Sequence, residues 1–167
     1  MEKMFSLEKL RDGNILIIGF RGTGKSSLVK NILHHKNLKN GLIINPKGND
    51  YEEFENVVEE YNNQKVNDFL VIDDCIESLE ILEKTKPKFF ILIEMYKSKL
   101  PKNIEKTISN VFIFRDVYLG NRNKIYRHYF SKSFSFESLC ILMDQLEDKG
   151  DCLYLQSDRL LFYHNKL

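Results

Sequence analysis

The sequence predicts an α/β fold in which helices cover a mostly parallel β-sheet. Three observations support this prediction: short apolar runs recur along the chain, amphipathic stretches separate them, and a glycine-rich octapeptide joins the first run to the first stretch. Alternation of strands and helices is typical of parallel sheets, because each parallel strand needs a crossover connection to the next.

Five apolar runs are the predicted strands. They are continuous rather than alternating and are rich in β-branched and aromatic residues, which is typical of strands covered on both faces. The runs are Ile15–Ile18, Leu42–Ile44, Phe69–Ile72, Phe89–Ile93 and Val111–Phe114.

Helical spacing of apolar residues predicts four helices. The second of them lies in an acidic segment whose glutamates would form a solvated helix face. Gly150 is expected just past the end of the fourth helix, where glycine is favoured. The four apolar patterns cover residues 28–33, 54–61, 76–82 and 136–146.

The end of the chain has a different pattern. Two short apolar segments, residues 152–155 and 160–163, flank Gln156-Ser157-Asp158-Arg159. Two such segments around a short polar turn predict a C-terminal β-hairpin on the sheet edge.

Length and composition favour one intracellular domain. The chain has 167 residues, room for a core over 14–116 and a C-terminal extension over 117–167 but not for two domains. Its three cysteines form no CxxC pair, which favours a reduced compartment. No signal-peptide core or membrane-spanning run is evident, so we expect a protein that is not secreted and does not contact a membrane. The net charge of +1 neither indicates nor excludes a polyanionic partner.

The octapeptide Gly19-Phe20-Arg21-Gly22-Thr23-Gly24-Lys25-Ser26 fits the phosphate-binding pattern GxxxxGK[ST] between a strand and a helix. Its glycines allow the backbone to approach a ligand closely, and successive N–H groups form an anion nest at a helix N-terminus. Lys25 is expected to reach the β and γ phosphates and to be catalytic, and Ser26 to bind Mg²⁺. The predicted nucleotide-binding residues are Gly19, Phe20, Arg21, Gly22, Thr23, Gly24, Lys25, Ser26 and Ser27.

The third apolar run ends in two carboxylates, Asp73 and Asp74. Side chains at the carboxyl end of a parallel strand reach the ligand crevice. Asp73 is therefore expected to hold Mg²⁺, and Asp74 to orient or deprotonate an attacking water. Both residues also suit the capping of a following helix, and that interpretation stays open.

Further polar residues follow the fourth and fifth runs. Glu94 or Ser98 is a candidate γ-phosphate sensor, although an ordinary strand-end role is equally open. Arg115, Arg122 and Arg127 are candidates for an arginine finger, for a nucleic-acid surface, or for solvated charge.

The ordered set of phosphate loop, acidic strand and the segment Leu100-Pro101-Lys102-Asn103-Ile104 resembles the virion DNA-packaging ATPases of large DNA viruses and virophages. These are the poxvirus-type branch of the FtsK/HerA group. The resemblance implies a P-loop NTPase fold of the ASCE type with strand order 5-1-4-3-2. It also implies Mg-ATP hydrolysis by Asp74, a homo-oligomeric ring on double-stranded DNA, and a location in the host cytoplasm or virion.

The chain differs from that family's pattern at two positions. The family usually has glutamine at the end of the fourth strand, where this chain has Glu94-Met95. It usually has arginine after the Leu-Pro segment, where this chain has Glu105-Lys106.

Three other functions stay open from the sequence. The loop and the chain length also resemble shikimate kinase, with Arg122 and Arg127 as a basic lid. A GTPase is disfavoured, because Asn121–Lys124 does not form an NKxD-like guanine-binding motif. A degenerate, non-enzymatic nucleotide-binding subunit is favoured by the two differences from the packaging family.

Overall fold

The computed structural model describes residues 4–46, 50–73, 79–157 and 159–166. Their centre is an eight-stranded sheet with the order β3-β2-β4-β5-β1-β6-β7-β8. The strands are β1 Asn14–Ile18, β2 Gly41–Ile44, β3 Val57–Val58, β4 Phe69–Asp73, β5 Phe90–Glu94, β6 Ile108–Phe114, β7 Asp151–Gln156 and β8 Arg159–His164. The α-helices are α1 Lys25–His35, α2 Glu80–Thr85, α3 Lys102–Glu105, α4 Leu119–Ile125 and α5 Phe136–Asp144. A 3₁₀ turn, Leu7–Lys9, precedes β1, and a π-helical segment, Tyr126–Phe130, follows α4.

The sheet confirms the predicted fold class and strand order. The five predicted strands correspond to β1, β2, β4, β5 and β6, and they lie in the order β6-β1-β5-β4-β2. All neighbouring pairs among them are parallel. The C-terminal hairpin is also confirmed, because β7 pairs antiparallel with β6 and β8 pairs antiparallel with β7.

Helices cover both faces of the sheet, which explains why the strand residues are apolar without alternation. Side chains from one face of the strands pack with α1 in one buried cluster, including Ile15 and Ile17. Leu16 and Ile18, which point to the opposite face, pack in a second cluster with residues of α2, α3, α4 and α5. Continuous apolar strands are the expected consequence of this two-sided burial.

The predicted helix over the acidic segment is wrong. Val57 and Val58 form β3, which pairs parallel with β2 at the sheet edge. The amide of Ile43 donates to the carbonyl of Asn56, and the amide of Asn45 donates to that of Val58. Pairing with an available sheet edge therefore overrides the helical spacing of the apolar side chains, which a sequence pattern of this length cannot exclude.

Two other predicted helices differ in extent. The helix after β4 is described only from Glu80, and Ile76 lies outside the described residues. The fourth helix ends at Asp144, six residues before Gly150, so that glycine does not end the helix as predicted. Gly150 instead precedes β7 with a φ of +100°.

Membrane-spanning helices were sought among the described residues. None of the helices there has the length and apolar character that crossing a membrane requires.

Candidate functional site

The glycine-rich loop connects β1 to α1, as its sequence predicts. Gly22 and Gly24 have positive φ values of 81° and 107°, which side chains with a Cβ rarely adopt. Gly24 is the N-cap of α1, and Lys25 is the first residue of the helix. The first four N–H groups of a helix have no partner within it and carry its partial positive charge. The turn thus presents amide donors where an anion would bind.

Inside the loop, the carbonyl of Phe20 is the common acceptor. The Nζ of Lys25 donates to it over 2.7 Å, and the hydroxyl of Thr23 donates to it over 2.7 Å. Lys25 is almost fully buried, with 8% of its surface exposed. The ammonium group is therefore held against the loop backbone rather than extended into solvent.

Asp73 is the last residue of β4 and is buried. β5 lies between β4 and β1, with Asp73 paired to Ile93 and Ile18 paired to Glu94. All three strand ends therefore lie at one edge of the sheet. Since neighbouring strands are about 4.8 Å apart, β1 and β4 are separated by roughly 10 Å, room for a phosphate and a cation between them.

The carboxylate of Asp73 contacts Tyr51, from the connection between β2 and β3. The Tyr51 hydroxyl donates to Asp73 Oδ2 over 2.7 Å. Burial, followed by the negative charge of Asp73, raises the pKa of Tyr51 far above its usual value, while a hydrogen bond with Ser26 acts in the opposite direction. Tyr51 is consequently neutral at physiological pH and stays a hydrogen-bond donor.

Ser26 connects a second carboxylate, that of Asp50, to this cluster. Its hydroxyl donates to Asp50 Oδ2 over 3.3 Å. The cluster of Ser26, Asp50, Tyr51 and Asp73 thus brings one serine hydroxyl and two carboxylates together. Hard oxygen ligands of this kind suit Mg²⁺, so the residues present fit that ion.

Two residues that flank the C-terminal strand pair, Gly150 before β7 and Asn165 after β8, support the loop and α1. The buried side chain of Asn165 donates through Nδ2 to the Ser27 hydroxyl over 3.2 Å and accepts from Asn31 Nδ2 over 2.7 Å. The amide of Gly150 donates to the carbonyl of Thr23 over 3.1 Å. A Cβ on Gly150 would lie 2.5 Å from the carbonyl oxygen of Asn165, so glycine is required by this close approach.

The two candidate sensor residues contact each other. Glu94 is buried, and its carboxylate accepts hydrogen bonds from the hydroxyl and the amide of Ser98. Its carbonyl accepts from the amide of Gly19 over 2.9 Å. Glu94 therefore joins the loop to β5 through its backbone, and its side chain is held by Ser98. Met95 beside it is half-buried.

Arg122 does not form part of an exposed surface, so its prediction as a finger, lid or nucleic-acid contact is wrong. Its guanidinium is buried and donates to the carbonyls of Asp116 and Cys140. It also forms a 2.6 Å ion pair with Asp144 at the end of α5. Arg122 thus joins α4 to α5. Arg115 and Arg127 are exposed, as a surface role requires.

A basic cavity lies next to this edge of the sheet. It has a volume of about 560 Å³, and its lining includes Lys99, Lys124, Arg127 and His128. The Nζ of Lys124 lies 5.5 Å from the centre of the Tyr96 ring, which also lines the cavity. Glu105 lies where the packaging ATPases usually have arginine. Its carboxylate contacts the side chains of Lys97 and His128 at this cavity. The cavity therefore combines several cations with an exposed aromatic ring.

The site contains residues that the sequence patterns did not identify. Asp50, Tyr51, Gly150 and Asn165 contact the predicted loop or metal residues, but they belong to no recognised motif. The only sequence signal was an aspartate followed by a tyrosine after the second apolar run, just before the segment predicted to be a helix over 54–61. The predicted catalytic Asp74 lies outside the described residues.

Comparisons with known proteins agree with this fold. Residues 3–149 match the model of the family DUF815, described as a protein of unknown function. Protein 088R of Invertebrate iridescent virus 3, itself uncharacterized, is 23% identical over 179 residues, which cover 86% of this chain and 69% of the relative.

Solved structures resemble the chain over most of its length. B204, the DNA-packaging ATPase from Sulfolobus Turreted Icosahedral Virus, has a TM-score of 0.64 with 16% identity, over 93% of this chain and 98% of that chain. The pCW3 conjugation coupling protein TcpA has a TM-score of 0.61 with 13% identity, over 92% of this chain and 60% of that chain. At these identities the likeness shows the fold, which is that of the P-loop NTPases.

Proposed function

We propose that this chain, which belongs to the DUF815 family of proteins of unknown function, is a Mg-ATP-binding ATPase that hydrolyses ATP to translocate double-stranded DNA during viral genome packaging. The observation that carries the proposal is the arrangement of the phosphate loop at the end of β1 and Asp73 at the end of β4, one strand apart. In P-loop NTPases these two positions bind the phosphates and the metal.

Each residue then has a defined task. The amides of residues 22–26 and the ammonium group of Lys25 bind the β and γ phosphates, which displaces Lys25 from the carbonyl of Phe20. Ser26 and Asp73 hold Mg²⁺, which neutralises phosphate charge when bound. Asp74 is proposed to orient the attacking water and accept its proton.

We propose that a second copy of the chain contributes to the site in a homo-oligomeric ring. Val117, Tyr118 and Leu119 form an exposed apolar run, with 62%, 60% and 64% of their surfaces accessible. The Tyr118 ring lies 5.2 Å from the ring of Phe20 in the phosphate loop. Exposed apolar patches of this kind commonly mediate protein–protein contacts, and this one lies beside the phosphate loop. A neighbouring copy would supply the finger that Glu105-Lys106 does not provide.

The basic cavity is the proposed contact for DNA. Lys99, Lys124 and Arg127 can neutralise backbone phosphates, and Tyr96 offers an aromatic surface. Binding to this surface would depend on charge rather than on base sequence. We therefore expect DNA affinity that falls steeply with salt concentration.

The similarity to viral proteins supports the proposed packaging role. B204 is described as a DNA-packaging ATPase, and the corresponding protein of a second Sulfolobus virus is described in complex with ATP-gammaS. The iridescent-virus relative supports a viral setting, hence the host cytoplasm or the virion. We assign the chain to the poxvirus-type branch of the FtsK/HerA group on its ordered motifs.

A nucleotide-binding subunit without turnover is the second candidate. It is favoured by one observation: the Glu94 carboxylate is held by Ser98, and no glutamine follows it at the end of β5. A small-molecule kinase is less well supported, because one of its two proposed lid arginines, Arg122, is buried in an ion pair.

The test measures nucleotide binding and phosphate release with and without double-stranded DNA. Lys25→Ala should weaken ATP binding more than tenfold, because the main cationic contact is lost. Asp74→Asn should keep ATP affinity and lose turnover. DNA-stimulated phosphate release by the unsubstituted chain supports the motor, and binding without turnover in any oligomer supports the second candidate. Unchanged ATP affinity of Lys25→Ala contradicts the phosphate-loop assignment.

A further inference from the structure

We infer that the connection after β2 supplies two positioning residues to the metal site: Tyr51 orients the carboxylate of Asp73, and Asp50 accepts the hydroxyl hydrogen of Ser26. The inference rests on the proposed function, because it concerns Mg²⁺ bound with a nucleotide. It adds a third chain segment to a site that the sequence patterns assign only to the phosphate loop and to the end of β4.

Tyr51 is built into the fold as a fixed donor. Only 1% of its surface is exposed, and its ring packs edge-on against Phe54 at 6.4 Å between centres. Its hydroxyl is directed at Asp73 Oδ2. A carboxylate that accepts such a bond loses rotational freedom, so its other oxygen keeps one direction relative to the sheet edge. Partners of this kind around metal ligands commonly set ligand orientation and metal affinity.

Asp50 addresses a different requirement. A serine hydroxyl that coordinates a cation does so through an oxygen lone pair and keeps its proton, so the hydrogen needs an acceptor elsewhere. The Ser26 hydroxyl lies 3.3 Å from Asp50 Oδ2 and also within hydrogen-bond reach of the Tyr51 hydroxyl. When its hydrogen is donated to Asp50, an oxygen lone pair is left for Mg²⁺, and the negative charge of Asp50 adds to the attraction for the cation.

One short segment delivers both groups because Asp50 and Tyr51 are consecutive. β2 lies directly beside β4 in the sheet, and Tyr51, which follows β2 in the chain, reaches Asp73 at the end of β4. The return to β3 then anchors the segment at the sheet edge. The short strand pairing at Val57 and Val58 thus has a consequence for the site, since it fixes the segment that contacts both metal residues.

The experiment measures the affinity of a fluorescent ATP analogue, in Mg²⁺ and in EDTA, for the full chain and for Tyr51→Phe. This substitution removes only the hydroxyl and keeps the ring that packs on Phe54. Tyr154→Phe is the control, because Tyr154 is also buried and its hydroxyl also donates a short hydrogen bond, 2.6 Å to Asn110. Within the described residues that hydroxyl bonds only with Asn110 and with Gln156, neither of which belongs to the site.

In Mg²⁺, Tyr51→Phe should weaken binding about tenfold, the lower end of what lost partners of metal ligands cost. In EDTA its affinity should equal that of the unsubstituted chain. Tyr154→Phe should match the unsubstituted chain in both conditions. Equal weakening of Tyr51→Phe with and without Mg²⁺ would assign the residue a purely structural role and overturn the inference.

Asp50→Ala should likewise weaken binding of the ATP analogue in Mg²⁺ but not in EDTA. Glu52→Ala is its control for the loss of a surface charge, because Glu52 is exposed and lies two residues away. If Asp50→Ala and Glu52→Ala behave alike, Asp50 acts only through general charge and its assigned role is wrong. If the unsubstituted chain binds no nucleotide in either condition, the proposed function fails. If that chain binds Mg-ATP and both site variants bind it equally well, only this inference fails.

Discussion

Replacement of Asn165 by alanine tests how strongly the C-terminal strand supports the phosphate loop. The Asn165 side chain is fully buried and takes part in three hydrogen bonds. Its Oδ1 accepts from Asn31 at 2.7 Å and from the Tyr163 hydroxyl at 3.3 Å, and its Nδ2 donates to the Ser27 hydroxyl at 3.2 Å. Alanine removes all three and leaves a small space where the amide was.

The expected loss of stability follows from these contacts. A net contribution of about 0.5–1.5 kcal/mol for each intramolecular hydrogen bond gives roughly 1.5–4.5 kcal/mol for the three. The lower part of the range is favoured for two reasons. Asn31 keeps a second acceptor, the carbonyl of Lys166 at 3.1 Å, and Ser27 is only half-buried, so water can reach it.

Urea denaturation of Asn165→Ala measures this loss, with Asn103→Ala as a control. Asn103 is exposed and donates one hydrogen bond to Glu83 over 3.2 Å, so its replacement should change the free energy of unfolding by no more than about 0.5 kcal/mol. A loss below about 0.5 kcal/mol for Asn165→Ala would refute the idea that the C-terminal strand holds α1 and the loop in place.

Three further predictions concern Gly150, with Gly120 as its control, Asp144 and Leu119. Gly150→Ala should lower the free energy of unfolding by about 1–3 kcal/mol in the same urea assay, because its φ is +100° and a Cβ would meet a carbonyl oxygen at 2.5 Å. Gly120→Ala, which meets nothing within 4 Å in α4, should be neutral or stabilising. The hydrogen bond from Arg122 holds the pKa of Asp144 below its usual value. Asp144→Asn should therefore lower the melting temperature at pH values above the usual aspartate pKa, where the ion pair is fully formed. The difference should disappear as pH falls through the lower folded value. Leu119→Asp should weaken self-association in sedimentation experiments while the affinity for ATP of the monomer is unchanged.

The sequence predicted the sheet well because burial on both faces leaves a strong local signal. Continuous apolar runs such as Phe69–Ile72 need helices on both sides, and the structure has them. The prediction failed where the local signal is compatible with two structures. Val57 and Val58 have helical spacing from Phe54, but they also make a two-residue strand once the edge of β2 is available. That choice depends on pairing across the sheet, which a local pattern does not contain.

The candidate site, too, could be predicted from the sequence only in part. The phosphate loop is contiguous and has a residue pattern fixed by its chemistry, so it could be found by reading along the chain. Its partners are distant in sequence: Tyr51 and Asp73 are 22 residues apart, Ser26 and Asp50 are 24 apart, and Ser27 and Asn165 are 138 apart. Their side-chain types are ordinary, so only the fold identifies them.

These distant contacts bear on the domain organisation that composition favours, and we propose that the chain folds as one unit. The C-terminal hairpin covers the edge of β6, where Phe112 is fully buried against Tyr154 at 4.9 Å between ring centres. Asn165 directly follows this hairpin and contacts Ser27 of α1, just after the phosphate loop. A core limited to residues 14–116 would expose the edge of β6 and leave the loop without its second support. The extension therefore belongs to the nucleotide site as much as to the fold, because the contacts that complete the sheet also position the loop.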